Sequence, residues 1–277
     1  MISGAARLAG VLGWPVSHSR SPKLHNFWLA RYGIDGAYVP LPVAPADFGA
    51  AVQGLRAVGF RGANVTIPHK EAAFAICTRV DETARRAGAV NTLSFAGGEV
   101  AGSNTDGAGF LANLRAHGVD PAGRPALLLG AGGAARAIAA ELLALGVRVR
   151  VVNRSPERAA ALAAALPGIE TIIWGQRQAA LADHGLLVNT TSAGMKGAAA
   201  LDFDLAHAPA ALVVADIVYV PLMTPLLAAA ASRGLRTVGG LGMLLHQAVP
   251  GFSAWFGVTP EVDQEVIDLM TADIPAT

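Results

Sequence analysis

The chain has 277 residues, 53% of them hydrophobic and only 15% charged, with a formal net charge of +1. That balance supports one large or two modest packed domains and offers no general attraction to nucleic acid or anionic membrane. The aromatic content of 6% leaves little for base stacking, and the single cysteine, Cys77, excludes an internal disulfide and fits a reducing compartment.

The opening stretch MISGAARLAGVLGWP lacks the long apolar core of a secretory signal. The most apolar region, 205–231, is interrupted by His207, Asp216 and three prolines, so a cytoplasmic protein with no membrane span is expected.

Strands are expected at 8–13, 37–43 and 62–67, with helices near 22–32, 45–58, 70–77 and 81–87. Residues 90–103 read as a hairpin turning at Gly97-Gly98. A helix follows from about Gly107 to His117-Gly118. A second series then begins with a strand at 126–129, a glycine turn and a helix. A strand over 147–154 leads to a helix with Ser155 as N-cap and Pro156 at its first position. Further strands are expected at 171–174, 185–191 and 212–219, and helices again over 240–277. Short apolar strands separated by helices indicate a parallel sheet covered on both faces, the doubly wound α/β pattern.

The turn after the strand at 126–129 reads GAGGAAR, which is G-x-G-x-x-A with Gly130, Gly132 and Ala135 in the fingerprint places. The first glycine permits the tight turn; the second lets backbone approach a pyrophosphate held at the helix N-terminus. Gly130, Ala131, Gly132, Gly133 and Ala134 are therefore candidate cofactor contacts. The next strand ends VVNRSPER, with no carboxylate before Glu157 to hold a ribose 2′-hydroxyl. Asn153, Arg154, Ser155 and Arg158 cluster there instead. Guanidinium groups suit a 2′-phosphate, so NADP is expected in preference to NAD.

The segment GANVTIPHKE runs a short strand into a proline, His69 and Lys70. Of 21 basic residues only Lys23, Lys70 and Lys196 are lysine; the other 18 are arginine. A lysine can move a proton near neutral pH where arginine stays charged. Lys70 is thus either a proton-transfer group or a surface charge that opens a helix. In SHSRSPKLHN, Ser19 and Ser21 precede Pro22. Ser21 is a good N-cap, and the same geometry makes a carboxylate seat. Asp106 in GSNTDGAGF stands at a helix start, Asn91 in GAVNTL at a strand start, and Gln247 on an otherwise apolar helix where it needs a partner. Asn64, Asn91, Asn104, Asn153 and Asn189 account for five of only seven asparagines. His18 and His69 read as hydrogen-bonded structural residues. The histidines are dispersed, with no carboxylate or cysteine cluster, so no metal is expected.

Taken in order, SHSRSP, GANVTIPHKEAA, GAVNT, NTDG, GAGGAAR, NRS, NTTSAGM, DIVY and GLGMLLHQA resemble the shikimate dehydrogenase family over about residues 13–250. The resemblance implies NADPH-dependent reduction of 3-dehydroshikimate to shikimate, in aromatic amino-acid biosynthesis. It implies a substrate-binding α/β domain from 1–105 plus 240–277, and an inserted Rossmann-type NADP domain over 106–239. It implies Lys70 and Asp106 as the catalytic pair, and Ser19 and Ser21 on the substrate carboxylate. Asn64, Thr66, Asn91, Tyr219 and Gln247 fall on further substrate positions. Thr190, Ser192, Met195, Gly240 and Met243 fall on cofactor positions; the alternative for both methionines is plain packing. Shikimate and NADP(H) are the implied small-molecule partners, and the oligomer is a monomer or a homodimer. Three alternatives stand beside this. They are a broader quinate/shikimate dehydrogenase, a related folate dehydrogenase lacking the SxS and NTDG combination, and a non-catalytic sensor, which would be expected to lose the Lys70–Asp106 pair or gain a nucleic-acid module.

Overall fold

The computed structural model describes residues 2–274. They form two compact units: one contains the residues through Asp106 and Leu245–Ala272, the other Gly107–Leu244 with Asp273 and Ile274.

The first unit holds strands β1 (Arg7–Gly13), β2 (Gly36–Pro42), β3 (Gly62–Val65), β4 (Arg79–Val80), β5 (Thr92–Ser94) and β6 (Ala101–Ser103). Its helices are α1 (Ser21–Arg31), α2 (Phe48–Ala57), α3 (Lys70–Ile76) and α4 (Glu82–Ala87), and its last residue opens α5 (Asp106–Ala116). The sheet order is β2-β1-β3-β5-β6-β4. β1 pairs in parallel with β2 and β3, whereas β5 runs antiparallel to β3 and β6. The β5–β6 pair is the expected hairpin, with Gly97 and Gly98 at φ +63° and +81°.

Leu12, Val52, Ala63, Val65, Ala73 and Leu93 make one buried core. A second cluster is aromatic: His25 stacks on Tyr38 at 4.0 Å between ring centres, with Trp28, Phe252 and Trp255 around it. Trp255 donates its indole N–H to the carbonyl of Leu93 at 2.9 Å, satisfying that buried group.

The second unit carries β7 (Ala126–Leu129), α6 (Gly133–Ala144), β8 (Val149–Val152), α7 (Pro156–Ala165), β9 (Ile169–Ile172), β10 (Leu186–Asn189), β11 (Val213–Asp216), α8 (Pro225–Ser232) and β12 (Arg236–Val238). All pairs in the order β12-β11-β10-β7-β8-β9 are parallel. This is the doubly wound sheet, and its order reverses between β7 and β10, where such sheets bind ligands at the strand C-termini. Two more helices follow, α9 (Leu241–Phe256) and α10 (Gln264–Thr271).

Several elements depart from the sequence expectation. The strand expected to reach residue 67 stops at Val65, because the chain turns there to begin α3. The strand expected at 171–174 is β9, two residues earlier, and a 3-10 turn begins at Trp174. Arg20 caps α1, and Ser21 is its first helical residue. β4, α8 and β12 were not expected: β4 and β12 are short and begin with exposed arginines, and α8 is a single eight-residue alanine-rich helix. Gly240–Leu244, expected with the C-terminal helices, cluster with the second unit. Gly240 lies against the Ile217 main chain and Gly242 against the Asn113 amide, so neither site has room for a side chain.

Gly62 is similarly crowded: a Cβ there would run into the Leu93 carbonyl and the Trp255 indole. Gly62→Ala is expected to destabilise the fold by about 1–3 kcal/mol, seen as a lower urea midpoint at unchanged m-value.

Candidate active site

The loop after β1 brings Ser19 and Ser21 together, the Ser21 N–H donating to the Ser19 hydroxyl at 3.4 Å. Ser21 is buried, while Ser19 and Thr66 are half-buried.

β3 ends beside β1: the Thr66 N–H donates to the Leu12 carbonyl at 2.9 Å, and the His69 N–H to the Thr66 carbonyl at 2.9 Å. Pro68 follows Ile67 through a cis peptide bond. His69 lies flat against Phe48, with 4.6 Å between ring centres, and its Nε2 is 2.8 Å from the Val43 carbonyl. It is a structural residue, as read from the sequence. Its position leaves Lys70 as the first residue of α3.

The Lys70 ammonium donates to Asp106 Oδ2 at 2.5 Å. Asp106 Oδ1 accepts from Asn91 Nδ2 at 2.8 Å, and the Asp106 N–H donates to Asn104 Oδ1 at 3.1 Å. Asn91 Nδ2 also lies 2.9 Å from Thr105 Oγ1 and 3.3 Å from Gln247 Oε1. Thr105 Oγ1 donates to the Gln247 carbonyl at 2.8 Å. Thus Lys70, Asn91, Asp106 and Gln247 converge within one unit, and all but Lys70 are fully buried. Both Asp106 oxygens are engaged as acceptors. The remaining two ammonium hydrogens of Lys70 meet no protein partner among the described residues.

Asn64 is buried too, but its amide is committed inside the protein. It accepts from the Tyr38 hydroxyl at 2.6 Å, and it donates to the Asn91 carbonyl and Thr92 Oγ1, both at 3.2 Å. Sequence reading missed Tyr38, Thr92 and Thr105 as parts of this site. Thr92 and Thr105 lay within the GAVNT and NTDG stretches; Tyr38 left no signal beyond a strand aromatic.

Tyr219 belongs to the second unit, so the expected substrate residues divide between the two units. There, Gly130 follows β7 at φ +111°, and a Cβ on it would sit 2.7 Å from Thr190 Oγ1. The Thr190 hydroxyl itself donates to the Leu129 carbonyl at 2.7 Å, tying β10 to β7 at the point of reversal. α6 begins at Gly133 with Gly132 as its cap, no side-chain cap and no acidic residue in its first turn. The space a Gly132 side chain would take is open to 4 Å. Exposed N–H groups and clear approach at a helix N-terminus fit a pyrophosphate.

Beyond β8, Asn153 Nδ2 donates to the Ser155 carbonyl at 2.9 Å. The Ser155 hydroxyl caps α7 and donates to Glu157 at 2.7 Å, which holds that carboxyl below the usual range. Arg154 and Arg158 are exposed and unpaired among the described residues. A donor set of two free guanidinium groups with no facing carboxylate fits a 2′-phosphate. Ser192 and Met195 lie exposed on the loop after β10, but Met243 packs in the core of this unit. Its side chain answers to the packing alternative rather than to an open cofactor contact.

No helix among the described residues is long and apolar enough to cross a membrane.

Two sheets, one with a buried lysine–carboxylate pair in its unit and one with a glycine-turn cradle and free arginines, define a two-domain nucleotide-dependent oxidoreductase. The chain matches family models for the shikimate dehydrogenase substrate binding domain over residues 11–93, shikimate / quinate 5-dehydrogenase over 113–218 and the shikimate 5′-dehydrogenase C-terminal domain over 240–264. It is 65% identical to the shikimate dehydrogenase (NADP(+)) of Acidiphilium cryptum, across 99% of each chain. The crystal structure of shikimate dehydrogenase from Aquifex aeolicus superposes with a TM-score of 0.90 at 34% identity, covering 99% of this chain and 100% of that one. The Thermus thermophilus enzyme in complex with NADP(H) and shikimate superposes with a TM-score of 0.86 at 37% identity, covering 96% and 98%. The chain belongs to the shikimate dehydrogenase family.

His25 supplies a test of the aromatic support behind this site. Complete burial pushes its pKa down to about 3, so the folded protein holds it neutral. The unfolded chain takes up that proton below its ordinary value of 6.5. Stability is therefore full above pH 6.5 and falls as pH drops towards 3, by up to about 1.4 kcal/mol per pH unit. Urea midpoints of the wild type should decline between pH 6.5 and 5. His25→Phe should flatten that decline, leaving the smaller contribution of the same sign from His184, also lowered by burial.

Proposed function

We propose that this chain reversibly reduces 3-dehydroshikimate to shikimate with NADPH, in the cytoplasm, as a step of aromatic amino-acid biosynthesis. The observation that carries the reading is the Lys70–Asp106 pair, with two ammonium hydrogens left for a ligand. The 1–106 unit with its C-terminal helices serves the substrate, and the 107–244 unit serves the cofactor.

Gly130–Ala134, Asn153, Arg154, Arg158 and the loop bearing Thr190, Ser192 and Met195 hold the NADP(H). When bound, it supplies or accepts a hydride at the carbon of the substrate carbonyl. Reduction leaves the electron pair of the former C=O bond on oxygen, as an alkoxide that needs a proton. Lys70 donates that proton, or removes it in the reverse direction. Asp106 accepts only, from Lys70 and Asn91, so it orients the ammonium and compensates its charge. Ser19 and Ser21 seat the substrate carboxylate. Thr66, Asn91, Gln247 and Tyr219 contact the ring hydroxyls or neighbouring groups, and Asn64 acts from behind them.

An assay of the purified protein, crossing shikimate and quinate with NADP and NAD, checks this directly. Strong turnover is expected only with shikimate and NADP. Comparable rates with quinate would move the protein to the broader quinate/shikimate class, and binding of shikimate without turnover would make it a sensor. Replacing Arg154 and Arg158 together by alanine should raise the KM for NADP roughly 10- to 100-fold, the size of charge-assisted contacts. Lys70→Ala should lower kcat by about 10²–10⁴-fold. Near-normal turnover in Lys70→Ala alongside loss in Asp106→Asn would remove Lys70 from the role of proton donor.

A further inference from the structure

A single line of buried hydrogen bonds joins Tyr38 to the Lys70–Asp106 pair, and its direction is fixed by groups that cannot reverse. The Asp106 carboxylate only accepts, so Asn91 must turn Nδ2 towards it, at 2.8 Å. Asn91 Oδ1 then faces the Thr105 N–H, which only donates, at 2.9 Å. The Thr92 hydroxyl, 2.9 Å from the same oxygen, must therefore be a donor there. Its lone pair accepts from Asn64 Nδ2 at 3.2 Å. The orientation of Asn64 is fixed independently, because its Nδ2 also meets the Asn91 carbonyl at 3.2 Å. Asn64 Oδ1 is left to accept from the Tyr38 hydroxyl at 2.6 Å.

Every donor in this line points towards Asp106. Tyr38, Asn64, Asn91, Thr92 and Asp106 are each no more than 6% exposed, so water does not compete for these partners. Thr92 and Tyr38 are the two members outside any role assigned above. Among the described residues, the Thr92 hydroxyl alone bridges the Asn64 and Asn91 side chains.

We propose that Thr92 and Tyr38 are positioning residues for the dehydrogenase reaction: the Thr92 hydroxyl holds the Asn91 amide against Asp106, and the Tyr38 hydroxyl holds the Asn64 amide that donates to Thr92. The inference rests on the roles given above to Lys70, Asp106 and Asn91. Ground-state geometry around Asp106 is then set by one preorganised network.

The test compares Thr92→Val with Thr92→Ser. Valine keeps the shape and suits a strand, but cannot donate; serine restores the hydroxyl. Thr92→Val is expected to lower kcat/KM for shikimate roughly five- to tenfold, the size of one neutral hydrogen bond. KM for NADP should stay unchanged, and Thr92→Ser should recover kcat/KM to within about twofold. Equal kcat/KM in the valine and serine variants would overturn the proposal. So would a loss that falls equally on shikimate and NADP, since that reports general damage. If Thr92→Val does not fold, Tyr38→Phe decides the matter: it keeps the stack on His25 and should raise KM for shikimate several-fold, and an unchanged KM would sink the idea. Lys70→Ala and Asp106→Asn run in the same assay separate the two levels. Wild-type turnover in both would defeat the catalytic assignment, whereas their loss beside a wild-type-like Thr92→Val would defeat only the positioning role.

Discussion

An ammonium and a carboxylate withdrawn from water impose conditions on everything around them. Lys70 and Asp106 have side-chain exposures of 16% and 8%, so neither is tolerable without the other. The pair also needs its remaining lone pairs filled, and Asn91 donates to Asp106 Oδ1, while Asn104 Oδ1 takes the Asp106 N–H. These demands explain local features that are otherwise unconnected. β3 stops at Val65 so that the turn through His69 can start α3 at Lys70. α5 starts at Asp106, where the chain leaves the first unit. Gln247 can be polar on an apolar helix because Asn91 Nδ2 donates to its side-chain oxygen.

The second unit answers to a different constraint, that of bringing backbone close to a ligand. Parallel strands ending together leave a crevice where the strand order reverses, between β7 and β10. Gly130 takes a left-handed conformation there, against Thr190, in a space too small for a Cβ. Thr190 then spends its hydroxyl on the Leu129 carbonyl, so it serves the crevice by holding its floor. Asp216 acts alike: its carboxylate accepts from Asn189, Thr224 and the Val218 N–H. That joins the ends of β10 and β11 to the start of α8.

Much of this was legible because motif chemistry is local. The glycine turn, the absent carboxylate after β8 and the lysine after a proline are each read within a few residues. The twofold strand period and the caps are local also, which is why the hairpin at Gly97-Gly98 and the Ser155 cap appear as expected. β4 and β12 escaped because two or three residues cannot display a period, and both begin with an exposed arginine. Ser21 looked like an N-cap, yet Arg20 occupies the cap and Ser21 is the first helical residue.

The sequence by itself determined which groups could do chemistry here: a rare lysine, a carboxylate at a helix start, a glycine turn and free arginines. Their types carry that information wherever they lie. Only the tertiary structure decided who meets whom. Residues 38, 64, 92 and 106 are far apart in the chain, and a hydrogen bond exists only when donor and acceptor come within about 3 Å. Tyr38 therefore became part of the site through folding, since nothing in its own neighbourhood marks it, and Thr92, though inside the GAVNT stretch, gained its partners only there.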